Sequence, residues 1–484
     1  MKTQLWGVAL SALLSLVGCG EGAGGPDETD TPGGATCGTC QAGYTCQAGV
    51  CTPAPASAKV TVAFPNLFDQ GGTKVLPTYI SHVVSSSQYP LAAVTITNTG
   101  GPTTVRVSVG LPTYGSTSTQ TVTLNAGEIK VLTMSPVIDF ARLFDNTTAL
   151  PAAISVDVAS GSNTLFAQSF PIQISGRNTV FWTNGAEQIT GLVAAMVTPQ
   201  DKARAIDGLI RGAANRFPSG SMVGYQGASW PAGSMTIAPG QHQTEAFQVL
   251  AGERPRVSIN SVTGGTDNNF GVYIMDAVNY TAWVDGFRAN ACAVSNATSA
   301  GTQLECATAQ PGVYYIVYHN PSDNFSNRTV TRERPMLKWE VTYYQSKALF
   351  EELRARGLVY VNLPGTGFFS SAQNVRYPAE SLSSQSANCI DGSILFAAAW
   401  EALGMEPLLG VSFQAGHAIV AVRCWSGESD CFIPVETTMV GGSASFSEAW
   451  RGGVNTWRAW STEKHLQAVD IKQARTVGLT PAPM

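Results

Sequence analysis

From residue 58 to residue 176 apolar and polar positions alternate in short runs: KVTVAF, AAVTITN, TTVRVSVGL, QTVTLN, ISVDVAS and FPIQIS. Gly, Asn, Ser and Pro punctuate them. A period of two with frequent turn residues predicts an antiparallel β-sandwich of the immunoglobulin-like kind over 58–176. It holds no cluster of ionisable residues, so it reads as a spacer or docking module. At Thr198-Pro199-Gln200-Asp201 the period changes. Thr198 suits an N-cap, Pro199 a first helical turn and Asp201 the positive helix end. Ala203, Ile206, Leu209, Ile210 and Ala213 then recur at helical spacing, which predicts a helix over Thr198–Arg216. Strand signals return over 228–345 in EAFQVLA, RVSINSV, FGVYIMD, YYIVYHN and LKWEVTYY, and a helix follows over Lys347–Arg356, closed by Gly357. Helices on both sides of a strand-rich stretch predict an α+β domain built from 177–227 and 346–484, interrupted by a second β-sandwich or jelly roll at 228–345.

The stretch Gln373 to Gly453 is patterned differently. After a polar loop, Cys389 opens a helical run in which Leu395, Phe396, Ala399, Trp400 and Leu403 share one broad face, and Gly404 supplies the stop. Leu408–Val411 begins a strand and Gly416–Val422 forms another. Cys424–Cys431 reads as a hairpin tip, so Cys431–Thr438 returns antiparallel and brings Glu436 toward His417.

Composition then narrows the classes. The chain has 484 residues, of which 13% are charged against an average of about 25%, with 44% apolar and a net charge of −5. The charge deficit does not come from membrane spans, because no apolar run beyond the first 20 positions approaches the roughly 20 residues a spanning helix needs. No Lys/Arg cluster marks a nucleic-acid binder. Ser, Thr, Asn and Gln supply the polar surface instead. At the front, MKTQLWGVALSALLSLVG has the positive start and short apolar core of a secretory signal over 1–18. Gly20–Thr36, rich in Gly, Pro, Asp and Thr, reads as a tether.

Export permits disulfides. Cys37, Cys40, Cys46 and Cys51 crowd into CGTCQAGYTCQAGVC, too short for a core, which predicts two disulfides, with a zinc knuckle as the alternative. Cys292 with Cys306, and Cys424 with Cys431, are each expected to close on themselves. That leaves Cys389 alone at a helix start, where unpaired amides and the macrodipole favour a thiolate. A buried structural cysteine is the bland reading. His417 opens a strand among small neighbours, whereas His82, His242, His319 and His465 have no comparable partner in the sequence. Cysteine, histidine and carboxylate together supply a nucleophile, a base and an orienter. Asp267-Asn268-Asn269 could touch Ca²⁺ but reads more simply as a polar turn.

Two resemblances carry further expectations. Leu16-Val17-Gly18-Cys19 resembles the lipobox of bacterial lipoproteins, which implies a lipidated Cys19 and an anchored protein; Gly20 in place of Asp favours the outer membrane. Gln373–Leu382, Asn388-Cys389-Ile390-Asp391, Glu401–Met405, Gly416-His417-Ala418 and Ile433–Thr438, in that order, resemble the transglutaminase-like, papain-related cysteine protease superfamily. That resemblance implies Cys389 as nucleophile, His417 as base, Glu436 as the acid (more often Asp in that superfamily) and Gln373 as an oxyanion donor. Asp391 and Glu380 then brace the loop and helix start, and Arg376 pairs with one of them. It also implies acyl transfer on a protein or peptide amide, with no cofactor. The 228–345 region more faintly resembles pre-peptidase or GOLD-type sandwiches. The competing class is an inactive surface protein that binds through its β-domains.

Overall fold

The computed structural model describes residues 37–484 except 85, 185–186, 266–268 and 363–371. The signal, Cys19, the tether and two residues of the Asp267-Asn268-Asn269 turn lie outside the described residues; Asn269 donates its side-chain amide to Asp323 at 3.0 Å. The chain is a multi-domain, sheet-rich α+β protein. Its first element is a hairpin, Tyr44–Gln47 and Val50–Pro53, tied by Cys37–Cys46 and Cys40–Cys51. All four sulfurs are used in those bonds. Cys292–Cys306 and Cys424–Cys431 are the other two disulfides among the described residues. Four such bonds place the chain outside the reducing cytosol. Among the described residues no helix is long and apolar enough to cross a membrane.

The alternating runs form a three-stranded sheet (Ala58–Ala63, Ala92–Asn98, Ile129–Met134) and a six-stranded one that includes Thr103–Gly110, Leu150–Ser160 and Asn163–Ile174. Inward residues such as Val94, Ile96, Val107 and Val156 are fully buried, as period-two patterning demands. Two four-stranded sheets follow between Gly233 and Glu333, around a separate core that includes Phe247, Ile259, Phe270 and Ile316.

Several elements differ from the reading of the sequence. LKWEVTYY is helical, not a strand: α-helix Lys338–Ala355 runs through it, so the strand-rich stretch ends at Glu333. Trp, Val, Thr and Tyr favour strands, but Val341, Gln345, Leu349 and Leu353 fall at helical spacing and are buried, and that packing outweighs local preference. The carboxylate of Glu340 caps the start by accepting from the Leu337 N–H at 2.9 Å. The upstream helix is also shorter than Thr198–Arg216. It spans Ala205–Ala214, because Arg204 sits in the left-handed region at φ 52° and Asp201, not Thr198, takes the first amides, at 3.0 Å from Ala205 N.

The unit that positions the candidate site has helices α1 (Ala205–Ala214), α2 (Lys338–Ala355), α3 (Pro378–Ser384) and α4 (Cys389–Ala402). Strands β1 (Pro407–Ser412), β2 (His417–Arg423) and β3 (Phe432–Val435) come next, then α5 (Phe446–Thr462), β4 (Gln467–Asp470) and α6 (Ile471–Thr476). The sheet runs β3-β2-β1-β4, all antiparallel. α4 does not present one face: every residue from Cys389 to Trp400 is buried. A helix apolar all round belongs inside a core.

α5 covers β3, the strand that leads into Glu436. Two mid-helix glycines, Gly452 and Gly453, would ordinarily weaken it by about 1 kcal/mol each. Close approach explains one of them: a Cβ on Gly453 would lie 2.7 Å from the Pro434 carbonyl carbon. Gly453→Ala is therefore expected to push α5 off β3 and destabilise the fold by about 1–3 kcal/mol despite its better helix propensity, as read from the shift of a urea transition.

Candidate active site

Asn388 N-caps α4. Its side-chain oxygen accepts from the Asp391 N–H at 2.9 Å, and the Asp391 carboxylate accepts from the Asn388 N–H at 3.2 Å. Cys389 is thus held as the first helical residue, 7% exposed, and is the one free cysteine among the described residues. Its carbonyl accepts from the hydroxyls of Ser393 at 2.7 Å and Thr437 at 3.3 Å, which ties the helix start to the turn after β3.

His417 opens β2 opposite Ser412. β3 is shorter than the strand read over Cys431–Thr438: it pairs Val435 with Val420 and ends there, and Glu436 follows as the cap of a single turn, Thr437–Met439. The side chains meet: His417 Nε2 lies 3.0 Å from Glu436 Oε2. The other oxygen, Oε1, accepts from the Thr438 hydroxyl at 2.7 Å and the Thr438 N–H at 3.3 Å. A carboxylate only accepts, so Nε2 carries the proton and Nδ1 is left free to accept one; Cys389 lies near enough to this ring to favour its charged form. The structure therefore joins His417 and Glu436 by a hydrogen bond and sets Cys389, at the head of α4, beside that pair.

Burial opposes charge on His417, yet its hydrogen bonds to Cys389 and Glu436 and their negative charge win, raising its pKa from 6.5 to about 10. Burial would raise the Glu436 carboxyl, but hydrogen bonding and charge from His417, with Thr438, hold it below 4.5. The sign follows for stability. His417, raised in the fold, contributes fully below pH 6.5 and loses that contribution as pH climbs through about 10; Glu436, depressed in the fold, contributes above pH 4.5 and fades in acid. Thermal midpoints of the native chain and of His417→Ala should differ most in weakly acidic buffer and converge above pH 10.

Gln373 lies on Ala372–Asn374, a strand paired with Thr179–Phe181, and is buried. Its carboxamide oxygen accepts from the Trp182 indole N–H at 3.2 Å. Trp182 only donates, which assigns the oxygen and leaves the Gln373 NH₂ as the group with donors to offer. Asp391 and Glu380 act as helix caps. Burial pushes the Asp391 carboxyl up to about 6, although it accepts from Arg376 N at 2.8 Å. Glu380 accepts from Tyr377 N at 3.0 Å and pairs with Arg177 at 2.7 Å. Arg376 reaches Asp391 through its main-chain N–H alone; its guanidinium bonds the Ser386 carbonyl at 3.0 Å and hydroxyl at 2.7 Å.

His465 has partners that the sequence reading did not supply. Nδ1 lies 2.7 Å from the Ser412 hydroxyl and Nε2 2.5 Å from Glu463 Oε2. Ser412 Oγ also accepts from Ala415 N at 3.0 Å, so this group braces the turn from which His417 emerges. Ser412 is fully buried. The other unread neighbour is Tyr360, whose pKa is raised by burial, then by Cys389 and Glu436. The bridge of Tyr360 to Ala387, two residues before Cys389, accounts for this. No local pattern signals Ser412 meeting His465 or Tyr360 meeting Ala387, since these partners stand far apart along the chain.

Compared with known proteins, the sequence matches no family model and no curated protein. Solved structures give partial likenesses. A secreted serine protease, VesC from Vibrio cholerae, is 11% identical with a TM-score of 0.13, the match covering 49% of this chain and 45% of that one. Tripeptidyl peptidase 2 is 8% identical with a TM-score of 0.15, covering 50% and 18%. A Cytophaga hutchinsonii chain provisionally assigned as a cysteine protease is 12% identical with a TM-score of 0.15, covering 44% and 80%. This chain thus spans less than half of VesC. At such scores the likenesses carry no argument, and the function rests on the site.

Proposed function

We propose that this chain is a thiol enzyme of the transglutaminase-like, papain-related kind that cleaves or transfers the acyl group of a protein or peptide amide. The observation that carries the reading is the His417–Glu436 pair, with Nε2 held at 3.0 Å, beside Cys389 at the head of α4. Cys389 Sγ attacks the amide carbonyl as a thiolate. The oxyanion is met by the Cys389 N–H, which as a first helical amide has no intrahelical acceptor, and by the Gln373 NH₂. The tetrahedral intermediate collapses, the C–N bond breaks, and imidazolium Nδ1 gives its proton to the leaving amine. Water, deprotonated by His417, then opens the thioester to a carboxylic acid and restores the thiol; an amine in its place yields a new amide. Glu436 holds the imidazole tautomer and stabilises the charged ring.

In this proposal 177–227 and 346–484 form the catalytic domain, 58–176 is a docking sandwich of the immunoglobulin-like kind, 228–345 is the insertion (its strands ending at Glu333), and Cys19 carries a lipid that anchors the chain to the outer membrane. The test is a mixed peptide library incubated with the chain and a primary amine: mass spectrometry should find new carboxylates or amine adducts with the native chain and none with Cys389→Ala. Products that persist undiminished with Cys389→Ala would refute the proposal. Gln373→Ala should lower kcat about 10²–10³-fold with the fold intact, as removal of one oxyanion donor does elsewhere.

A further inference from the structure

A second feature lies away from Cys389, where the insertion meets α2. A cavity of about 520 Å³ opens there, and Trp230, Glu245, Phe247, Arg332, Trp339 and Tyr344 are among the residues that line it. Its walls are aromatic, a common trait of ligand sites. Trp339 is anchored, because its Nε1 donates to the Gln248 carbonyl at 2.9 Å. Charge in the cavity is balanced locally. Arg332 Nη2 lies 2.5 Å from Glu245 Oε1, and Arg334 grips Glu340 with two bonds of 2.9 Å.

Two buried donors are unsatisfied there. Among the described residues Trp230 Nε1 and Arg332 Nε have no hydrogen-bond partner. Buried N–H groups are nearly always paired, and each exception calls for an explanation. Neither group can accept, so whatever completes them brings acceptors. Because both guanidinium groups already face carboxylates, an anion would gain no unpaired positive charge. Glu245 in turn offers acceptor oxygens. A hydroxyl can both accept from the two donors and donate to Glu245, and the C–H face of a sugar ring suits an aromatic wall. We propose that this cavity binds a neutral sugar unit of a glycan, which gives the chain a recognition function separate from the cysteine chemistry. Gly233 contributes by its size: it pairs with Arg332 across the sheet, and a Cβ there would lie 2.3 Å from Arg332 Nη1.

The test titrates the full chain with neutral oligosaccharides (cellopentaose, maltopentaose, chitopentaose), with oligogalacturonate as the anionic control and an uncharged pentapeptide as the peptide control. Calorimetry and tryptophan fluorescence give the readout. One neutral saccharide should bind at a single site. Trp230→Ala and, independently, Gly233→Ala should weaken it at least tenfold while the thermal midpoint shows a folded protein. Trp283→Ala, in an aromatic group with His242 and His319 elsewhere on the insertion, should bind as the native chain does. Cys389→Ala should also retain binding, so failure of the thiol chemistry would leave this result intact. No saccharide binding by a folded chain, binding unaffected by both Trp230→Ala and Gly233→Ala, or a preference for the anionic or peptide probe would overturn the proposal.

Discussion

Cys389→Ala should lose turnover by at least about 10³-fold, since removing the nucleophile of a cooperating triad leaves only binding and oxyanion stabilisation. The loss should appear in kcat, with the stability of the chain little changed. Cys389 is buried at the first turn of α4, and the cap that holds it belongs to Asn388 and Asp391, not to the thiol. Cys389→Ser is the sharper variant. It keeps an atom able to hydrogen-bond His417 but replaces the thiol with a far weaker nucleophile, a hydroxyl. Its activity should also fall to background. A Cys389→Ser enzyme as fast as the native chain, measured on a peptide cleaved by the latter, would remove the thiol from the mechanism.

The second large effect concerns the ring and its carboxylate. Glu436→Gln keeps the shape but replaces the Nε2 acceptor and its charge with an amide that can turn either end toward the ring. Loss of the orienting carboxylate in a comparable triad costs about 10⁴-fold in kcat, and a fall of roughly 10²–10⁴-fold is expected here. The pH profile separates this from a structural defect. In the native chain the imidazolium persists to about pH 10, so activity should hold through neutral pH and fall as pH rises through that value. Without the Glu436 charge, the alkaline limb should move to lower pH. An unchanged limb in Glu436→Gln, with activity reduced, would mean that Glu436 acts on the fold and not on His417.

How much of this the sequence revealed depended on distance along the chain. The helix at Cys389 was legible because its cap, Asn388 and Asp391, lies within three residues and a long apolar run follows. The strand opened by His417 and the one that leads into Glu436 were legible because they are adjacent hairpin partners, which brings the two side chains near each other. LKWEVTYY misled, since its β-branched and aromatic residues favour a strand while the core they pack into comes from elsewhere. The Asp201 cap was missed in favour of Thr198, because either side chain can cap and only the backbone at Arg204 decides between them. Trp182 fixing Gln373, Arg177 pairing with Glu380 and Ser412 meeting His465 join residues 191, 203 and 53 positions apart, and a single sequence has no local signal for such contacts. The apolar all-round burial of α4 was also illegible as such, because its sequence fits one broad face equally well.

The central claim is that Cys389 is an activated thiol and not a buried structural one. Its rate of alkylation by iodoacetamide at neutral pH, followed by mass spectrometry of the intact chain with disulfides left closed, tests this most directly. If the account holds, a single site is modified, it maps to Cys389, it reacts faster than a free cysteine thiol, and His417→Ala slows it at neutral pH, with the rate recovering only toward the alkaline range of an ordinary thiol near pH 8.5. A Cys389 that resists alkylation in the folded chain, or that reacts at the same slow rate with and without His417, would contradict it.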